Sequence, residues 1–586
     1  MVALLSGQFV PETTRPVIRG ASYAVSTRKP QASQVAERIL RAGGNAFDAA
    51  VASQAVLGVT DPAMNGLGSD AYILIYEAKT GKVVSIDAGG IAPKLATIAW
   101  YQEHAGGKIP VNDGLLSAST PAVVDAWCEL LTRWGTMTLA ELLQPAIELA
   151  EQGFPMSESL VHYIEKSEAK LRKYPTSASI YLPNGRVPRP GEIFRNRNLG
   201  RTLRMLVEAE QSASSAGREA GLRAARERFY RGDIARTMAQ FSEENNGLYR
   251  FEDFAGYVAR IEEPVSIDYR GFEVYKNPSA NQGPVELLLL NLLEGYDLRG
   301  MGHNSADYIH TSIEAAKLAY ADREKYLADM EFVSIPFDGL LSKAYARERR
   351  KLIHSGKASR ELRPGNAENH HDGDSSARWT PSPNFRGRAS HVGDTSYLAL
   401  VDSDRNMVSF TPSLHSPFGT GVVMGDLGFP LNCRGDYYSL DPADPNALLP
   451  GKRPRNTLTP TIVLKGKEPY MTVGSPGGDD QPMRIAQTLL NVLEFEMNIQ
   501  AAIEAPRWST TSFPSSEFPH TMYPGQITVE QRISPEVIRK LKRRGHKVKL
   551  ERPWSLNATS AILIDPMTGV LHAGADPRGD NYALAW

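Results

Sequence analysis

A threonine stands where a long polar tract meets an apolar run. From about Ser355 to Gly393 the sequence is rich in Ser, Gly, Asn, His, Asp, Arg and Pro and holds few large apolar side chains, which predicts a mobile segment. The β-branched, aromatic and apolar run 394–402 follows at once and predicts a strand. The peptide bond between Asp394 and Thr395 is therefore expected to be accessible on one side and held rigidly on the other.

The Thr395 hydroxyl could do chemistry at such a junction. It can attack the preceding carbonyl, shift the acyl group to oxygen and be released by water, which leaves a threonine with a free α-amine. The reference pKa of an α-amine is about 7.7–8.0, so near neutral pH the amine can serve as general base for its own hydroxyl. A threonine at the start of a strand is more simply a β-former, and the junction alone leaves both interpretations open.

The elements that would position Thr395 follow from hydrophobic patterning. Ser403–Asn406 is a predicted turn and Met407–Leu414 a predicted returning strand, so Thr395 begins one arm of a hairpin. Upstream, the pattern from Thr120 to about Leu206 is mainly helical, and a surface helix is predicted over Ser212–Glu227. We expect three prolines to break the helical region, namely Pro121, Pro145 and Pro155.

Composition limits the kinds of function. The 586 residues include 65 basic and 66 acidic side chains, which nearly cancel, and this balance argues against a nucleic-acid or anionic-membrane surface. The two cysteines, Cys128 and Cys433, give no disulfide framework. The N-terminus has neither a basic n-region nor a long apolar h-region, and no stretch approaches a membrane span. The expected location is therefore the cytoplasm.

Metal and cofactor motifs are not found in the sequence. The cluster His370-His371-Asp372 lies in the polar tract and is interpreted as solvated, and His310 is interpreted as a packed or hydrogen-bonded core residue. No phosphate loop, dinucleotide fingerprint or paired zinc motif occurs. We therefore expect no cofactor and no metal.

Eight short motifs, each weak alone, occur in an order that resembles the γ-glutamyltransferase family. The resemblance extends from about residue 20 to residue 586. The motifs are Gly43-Gly-Asn-Ala-Phe-Asp-Ala-Ala-Val-Ala52, Asp61–Ile73, Glu314-Ala-Ala-Lys-Leu-Ala-Tyr-Ala-Asp-Arg323, Phe418-Gly-Thr-Gly421, Gly451-Lys-Arg-Pro454, Val473-Gly-Ser-Pro-Gly-Gly478, Ala505-Pro-Arg507 and Ala575-Asp-Pro-Arg578.

The resemblance implies an N-terminal-nucleophile fold of the α+β class. Such a fold is a four-layer αββα sandwich in which two stacked, mostly antiparallel sheets lie between helical layers. The chain would divide into a large subunit, 1–394, and a small subunit, 395–586. The large subunit would end in the mobile pre-cleavage tract 355–394. The two subunits would interweave in one globular domain. The implied partners are a small-molecule amide substrate and the two fragments as a heterodimer, with a dimer of such heterodimers left open.

Several residues take roles by position in the family pattern. Thr395 falls on the processing and catalytic threonine, and Thr411 and Ser413 fall on flanking hydroxyl positions. Ser413 replaces an assisting threonine, and a serine hydroxyl can make the same hydrogen bond. Gly477 and Gly478 fall on the oxyanion hole, where backbone N–H groups can reach an oxyanion without a Cβ in the way. The alternative for Thr411 and Ser413 is that they are polar residues on the solvent-facing side of a strand. The alternative for Gly477 and Gly478 is an ordinary tight turn.

The departures from the family pattern concern substrate recognition. Ile98 replaces an arginine that binds the substrate's α-carboxylate, and Tyr437 replaces an acidic residue that holds its α-amine. Burying a zwitterionic head without both counter-charges costs several kcal/mol, so glutathione is not the expected substrate. Three further positions in the expected substrate site differ from the family pattern. His415 stands where the family has an asparagine, and Asn456-Thr457 stands where it has a pair of serines. Arg434 adds a fixed positive charge.

The reaction implied by the resemblance is acyl transfer. Thr395 would attack an amide carbonyl, Gly477 and Gly478 would stabilise the oxyanion, and water or an amine would take the acyl group. We favour hydrolysis of a non-γ-glutamyl amide, because cephalosporin acylases and an oxamate amidohydrolase in the family accept other acyl groups. The alternatives are a γ-glutamyltransferase or glutathione hydrolase with atypical contacts and, from another class, a processed but inactive binding protein.

Overall fold

The computed structural model describes residues 13–368 and 395–586. In chain order the strands are β1 (Ile18–Gly20), β2 (Ala24–Thr27), β3 (Asp70–Glu77), β4 (Lys82–Ala88), β5 (Phe154–Pro155), β6 (Ile193–Phe194), β7 (Arg260–Glu262), β8 (Val265–Tyr269), β9 (Phe272–Lys276), β10 (Leu398–Val401), β11 (Met407–Ser413), β12 (Thr461–Lys465), β13 (Glu468–Gly474), β14 (Trp508–Thr510), β15 (Gln526–Glu530), β16 (Lys547–Glu551), β17 (Ser560–Ile564), β18 (Leu571–Ala575) and β19 (Tyr582–Ala585).

The helices are α1 (Pro30–Arg41), α2 (Ala46–Thr60), α3 (Ile98–His104), α4 (Val123–Trp134), α5 (Leu139–Gln152), α6 (Glu158–Lys173), α7 (Pro175–Tyr181), α8 (Arg197–Ala213), α9 (Arg218–Tyr230), α10 (Asp233–Glu244), α11 (Phe251–Ala255), α12 (Gly283–Leu293), α13 (Leu298–Met301), α14 (Ala306–Tyr326), α15 (Phe337–Leu340), α16 (Lys343–Arg350), α17 (Gln481–Leu493), α18 (Ile499–Glu504) and α19 (Pro535–Arg543). Within the two described ranges, no helix is both long enough and apolar enough to cross a membrane.

Two seven-stranded sheets form the centre of the described structure. The β10 sheet has the order β19-β2-β10-β11-β3-β4-β7, and the β13 sheet has the order β1-β18-β17-β13-β12-β9-β8. All neighbouring strands in these two sheets pair antiparallel. Each sheet takes strands from both sides of residue 394, so the two halves of the chain are interleaved strand by strand.

Burial alternates along β10, the strand that follows Thr395. Leu398 and Leu400 pack in a cluster shared with helices α2, α4 and α5. Ala399 and Val401 pack in a different cluster, together with residues of β12, β17 and β18. Successive side chains of a strand point to opposite faces, so one face of β10 meets the helices and the other meets the second sheet. Burial on both faces explains why β10 has an uninterrupted apolar sequence.

Helices cover the outer face of both sheets. Residues of α1, α2, α4 and α5 share one apolar cluster with the β10 sheet, and residues of α12, α14, α17 and α18 share another with the β13 sheet. The third cluster lies between the sheets. The order of layers is helix, sheet, sheet, helix, which confirms the predicted α+β class and the four-layer αββα sandwich.

Two predictions about helices were wrong. Pro145 does not break its helix but lies inside α5, because the buried side chains Leu142, Leu143 and Ile147 hold the helix in the core and tertiary packing outweighs local propensity. The helix predicted over Ser212–Glu227 is two helices, α8 and α9, separated near Gly217. Gly217 has φ of 101°, a conformation that no right-handed helix accommodates.

The Tyr397 side chain joins the two sheets. Its Oη lies 2.8 Å from Ser409 Oγ in β11 and 3.1 Å from Thr472 Oγ1 in β13. Its ring packs on Gly474, where a Cβ would lie 2.1 Å from the ring atom Cε2, so this approach requires glycine. Tyr397 is buried, and it fixes the chain between the sheets two residues after Thr395.

We expect Tyr397→Phe to lower the free energy of unfolding by about 1–3 kcal/mol, because it removes two buried hydrogen bonds between the sheets. A lower denaturant midpoint, followed by tyrosine and tryptophan fluorescence, would show the effect. The matched control is Tyr582→Phe, since Tyr582 is 45% exposed and its change should stay within about 0.5 kcal/mol. Equal midpoints for the two variants would contradict the bridging role.

Candidate active site

The Thr395 and Ser413 side chains meet where β10 begins and β11 ends. Thr395 Oγ1 donates a hydrogen bond of 3.1 Å to Ser413 Oγ, and Ser413 Oγ also accepts from the backbone N–H of His415 at 2.8 Å. Both hydroxyl residues are buried. Thr411 is buried as well, but its Oγ1 has no hydrogen-bond partner among the described residues, so Ser413, and not Thr411, contacts the Thr395 hydroxyl.

Two groups of sequence predictions lie outside the described residues. Asp394, on the other side of the predicted cleavage point, is one of them, and the cluster His370-His371-Asp372 is the other.

Ser396 anchors the chain directly beside Thr395. Its Oγ donates to Asp61 Oδ2 at 3.0 Å and accepts from Asn65 Nδ2 at 2.9 Å, while its N–H donates to the carbonyl of Pro412 at 3.1 Å. Asp61 is in turn paired with Arg28 at 2.8 Å. The loop after α2 therefore holds the residue next to the candidate nucleophile through two directional bonds, and β11 supplies a third. The sequence motif did not indicate this role for the loop.

The Gly477-Gly478 turn follows β13 and has backbone conformations that favour glycine. The φ angles are 112° and 57°, and a Cβ on Gly477 would lie 2.3 Å from Asn557 Nδ2. The Pro476 carbonyl accepts a hydrogen bond from the guanidinium of Arg484. Because N–H and C=O of a trans peptide point in opposite directions, the Gly477 N–H points away from Arg484.

Gln282 connects this turn to a second part of the site. Its Nε2 donates to the Gly478 carbonyl at 3.0 Å and to the Thr457 carbonyl at 3.1 Å. Its Oε1 accepts from Arg323 Nη1 at 2.8 Å, which fixes the amide orientation. A single buried amide therefore holds the glycine turn and the segment that contacts Arg434 at a constant separation.

The guanidinium of Arg434 is buried, and two of its three nitrogen atoms make no hydrogen bond with the described residues. Nη1 donates to Tyr437 Oη at 2.8 Å and to Thr457 Oγ1 at 2.9 Å, whereas Nε and Nη2 have no hydrogen-bond partner among the described residues. Asp70 Oδ2 is 3.6 Å from Nε, too far for a hydrogen bond. Burial raises the pKa of Asp70 to about 7 against the lowering influence of Arg434, and Asn456 Nδ2 donates to Asp70 Oδ2 at 2.8 Å.

The His415 ring lies between two carboxylates. Nδ1 is 3.3 Å from Asp436 Oδ1 and Nε2 is 3.2 Å from Glu517 Oε1, and Nδ1 is also 3.2 Å from Cys433 Sγ. Burial alone would lower the pKa of His415, but Tyr437 and Asp436 outweigh it and raise this pKa well above its ordinary value.

The structure thus places most of the predicted site residues in one buried region. Arg434, Tyr437 and Thr457 form one hydrogen-bonded group. Ile98, by contrast, packs on an apolar cluster that includes Tyr438.

Seven residues of this region were not predicted from the sequence, namely Asp61, Asn65, Asp70, Gln282, Ser396, Asp436 and Glu517. Asp61, Asn65 and Asp70 lie within the motif 61–73, and this was the one available signal for them.

Comparison with known proteins identifies the family. The family described as gamma-glutamyltranspeptidase matches residues 32–586. The glutathione hydrolase-like YwrD proenzyme of Bacillus subtilis is 36% identical over 94% of this chain and 96% of its own length. The acylase ACY 1 proenzyme of Pseudomonas sp. is 32% identical over 97% of this chain and 94% of its own. The structure of cephalosporin acylase from Bacillus halodurans superposes with a TM-score of 0.85 at 33% identity, over 100% of this chain and 99% of that one.

The chain belongs to the γ-glutamyltranspeptidase family, as the order of its motifs predicted. Its relatives are hydrolases and acylases, which supports an amide hydrolase or transferase.

We expect Ser396→Ala to slow cleavage before Thr395 by about tenfold or more, because small misplacements of a reacting group have large effects on rate. The rate is measured as the appearance of the 395–586 fragment on denaturing gels. Ser403→Ala is the matched control, since Ser403 lies exposed just beyond the same strand. If both variants are cleaved at the wild-type rate, Ser396 does not position Thr395.

Proposed function

We propose that the chain cleaves itself before Thr395 and then uses the Thr395 hydroxyl to hydrolyse an amide whose acyl group carries an anionic substituent. The observation that carries this proposal is the 3.1 Å contact between the Thr395 and Ser413 hydroxyls, buried at the junction of β10 and β11. The family relatives support the coarser conclusion of an amide hydrolase or transferase.

In the proposed reaction, the freed α-amine of Thr395 takes the proton of its own hydroxyl as the oxygen attacks the amide carbonyl. Before cleavage, Ser413 accepts a hydrogen bond from Thr395 Oγ1. Once the α-amine is free, the hydroxyl proton would turn to the amine, and Ser413 Oγ–H could donate to the attacking oxygen and orient it. The amides of Gly477 and Gly478 would stabilise the oxyanion, and each such donor is worth about 2.7–4 kcal/mol. The amine product leaves with the proton, and water then releases the acyl group from Thr395.

The substrate proposal depends on the charges around Arg434. Its two unpaired donors, Nε and Nη2, can bind a carboxylate through two parallel hydrogen bonds. The carboxylates near it are already engaged: Asp70 accepts from Asn456, and Asp436 lies against His415. A cationic α-amine would therefore have to share Asp70 with Asn456 or Asp436 with the ring of His415. These contacts favour an anionic acyl group without an α-amine over γ-glutamyl.

The alternatives predict different behaviour. A γ-glutamyl hydrolase with atypical contacts would use Arg434 for the α-carboxylate and would need Asp70 or Asp436 to exchange its partner for the α-amine. An inactive binding protein would not need a buried hydroxyl pair at the predicted cleavage point, so the Thr395–Ser413 contact favours an enzyme.

We also propose that the fragments 1–394 and 395–586 stay together as a heterodimer after cleavage. The support is that each seven-stranded sheet combines strands from both fragments. Whether two heterodimers associate further stays an open prediction.

Purified protein should contain two polypeptides, the smaller beginning Thr-Ser-Tyr-Leu-Ala-Leu. Thr395→Ala removes the attacking hydroxyl and should leave one intact, folded and inactive chain. Thr395→Ser keeps a hydroxyl but loses the methyl that restricts χ1, so it should be cleaved more slowly. Denaturing gels and N-terminal sequencing measure all three outcomes.

The alanine variant also controls for a contaminating protease, which would cut at scattered positions and ignore the substitution. Cleavage of Thr395→Ala at the same bond would rule out the proposed mechanism.

Succinyl-p-nitroanilide should be hydrolysed with a higher kcat/KM than butyryl-p-nitroanilide, because only the succinyl group carries a carboxylate for Arg434. Arg434→Lys keeps the charge but loses the planar fork, and we expect it to reduce this preference by about tenfold, mainly through KM, with self-cleavage retained. Steady-state kinetics on the cleaved protein provide the measurement.

Two outcomes would contradict this substrate class. One is a wild-type preference for the butyryl compound. The other is turnover of γ-glutamyl-p-nitroanilide with kcat/KM of about 10⁴ M⁻¹s⁻¹ or more, which would favour the γ-glutamyl alternative.

A further inference from the structure

We propose that His415, Cys433 and Asp436 form a binding site for one thiophilic divalent cation, with Zn²⁺ as the expected ion. The inference does not depend on the proposed function, because it rests on a side-chain cluster that the acyl-transfer steps do not use. Neither the family motifs nor the sequence spacing indicated this site.

The three candidate ligand atoms are already close to coordination geometry. His415 Nδ1 lies 3.2 Å from Cys433 Sγ and 3.3 Å from Asp436 Oδ1, and all three atoms lie within 4.8 Å of one another. Tetrahedral Zn²⁺ has bonds of about 2.0–2.3 Å to such ligands, which places neighbouring ligand atoms roughly 3.4 Å apart. A cation could therefore be bound with only small side-chain shifts.

The orientation of the Asp436 carboxylate also fits a ligand. Its Oδ2 accepts from the backbone N–H of Asn112 at 2.9 Å, which fixes the group. Its Oδ1 is buried and has no hydrogen-bond partner among the described residues. A buried carboxylate oxygen without a donor is costly, and a cation at this position would satisfy it.

A carboxylate lies near the second nitrogen of the imidazole, at an angle that does not make a hydrogen bond in this conformation. His415 Nε2 lies 3.2 Å from Glu517 Oε1, and Asn112 Nδ2 donates to the same carboxylate oxygen at 3.3 Å. A carboxylate on the second ring nitrogen orients a histidine ligand and increases its basicity. The fourth coordination position would be taken by water or by Asn112 Oδ1, which lies 3.5 Å from Cys433 Sγ.

The donor set selects the kind of ion. A thiolate with an imidazole favours Zn²⁺ and similar transition metals over Mg²⁺ and Ca²⁺, which prefer oxygen ligands. Binding replaces the thiol proton of Cys433 and the proton on His415 Nδ1, and both protons leave to solvent. No oxidation or reduction is involved.

The test uses Co²⁺ and Zn²⁺ on the full chain after treatment with a chelator. Wild-type protein should take up about one Co²⁺ per chain and show a thiolate-to-cobalt charge-transfer band, which Zn²⁺ should displace. Cys433→Ser should abolish that band, and Glu517→Gln should weaken binding by about 10–100-fold through loss of the outer contact. Cys128→Ser is the matched control, because Cys128 is also buried but contacts the carbonyl of Leu222 instead, so it should keep the band.

Thermal unfolding of each variant verifies that it is folded, and repeating the titration on Thr395→Ala separates this proposal from the proposed function. If the chain is cleaved before Thr395 but binds no Co²⁺, the cation-site proposal fails and the proposed function stands. If it binds Co²⁺ but is not cleaved, the proposed function fails and the cation site stands. The inference is overturned if wild-type protein shows no charge-transfer band, or if the band persists in Cys433→Ser.

Discussion

The position of the candidate nucleophile depends above all on the buried hydroxyl of Tyr397. Apolar contacts between sheets tolerate sliding, whereas the two directional bonds of this hydroxyl, to Ser409 and Thr472, fix the relative position of β11 and β13. Ser396 is bonded to the loop after α2, so Thr395 begins a stretch whose next two residues are both fixed. The candidate nucleophile is thus positioned by the core of the sandwich, a more rigid support than a surface loop.

Most charged groups of the site lie beside a group that compensates them, but Arg434 uses only part of its hydrogen-bonding capacity. His415 lies between Asp436 and Glu517, and Asp70 is bonded by Asn456. Arg434 alone keeps two buried donors without partners among the described residues. Leaving donors of a buried cation without hydrogen bonds is unfavourable, and an anion bound at these donors would remove that cost. Under the proposed function, Arg434 would therefore set the charge that the substrate must carry.

The sequence predicted those parts of the site that are local in the chain. The junction of a polar tract with an apolar strand made Thr395 a candidate, and the resemblance to the γ-glutamyltransferase family assigned the roles of Thr395 and Ser413. The predicted hairpin brings the two close together, because hairpin partners are close in sequence. His415 was predicted as a site residue, but its neighbours Asn112, Asp436 and Glu517 were not, since only the tertiary fold brings these segments together. Pro145 was misjudged for a related reason, because burial of the helix in the core outweighs the local preference of proline.

Strand β2 lies between β10 and β19, so a strand from the first part of the chain is paired on both sides by strands from the last part. A chain break before Thr395 would not loosen this arrangement, because both ladders of β2 persist. Unfolding would have a different consequence, since two separate chains must then meet again in solution. Folding of the intact precursor is a first-order process, whereas reassembly of the fragments is second-order and fails at high dilution. For the cut molecule, the relevant property is the lifetime of the assembled state rather than an equilibrium stability.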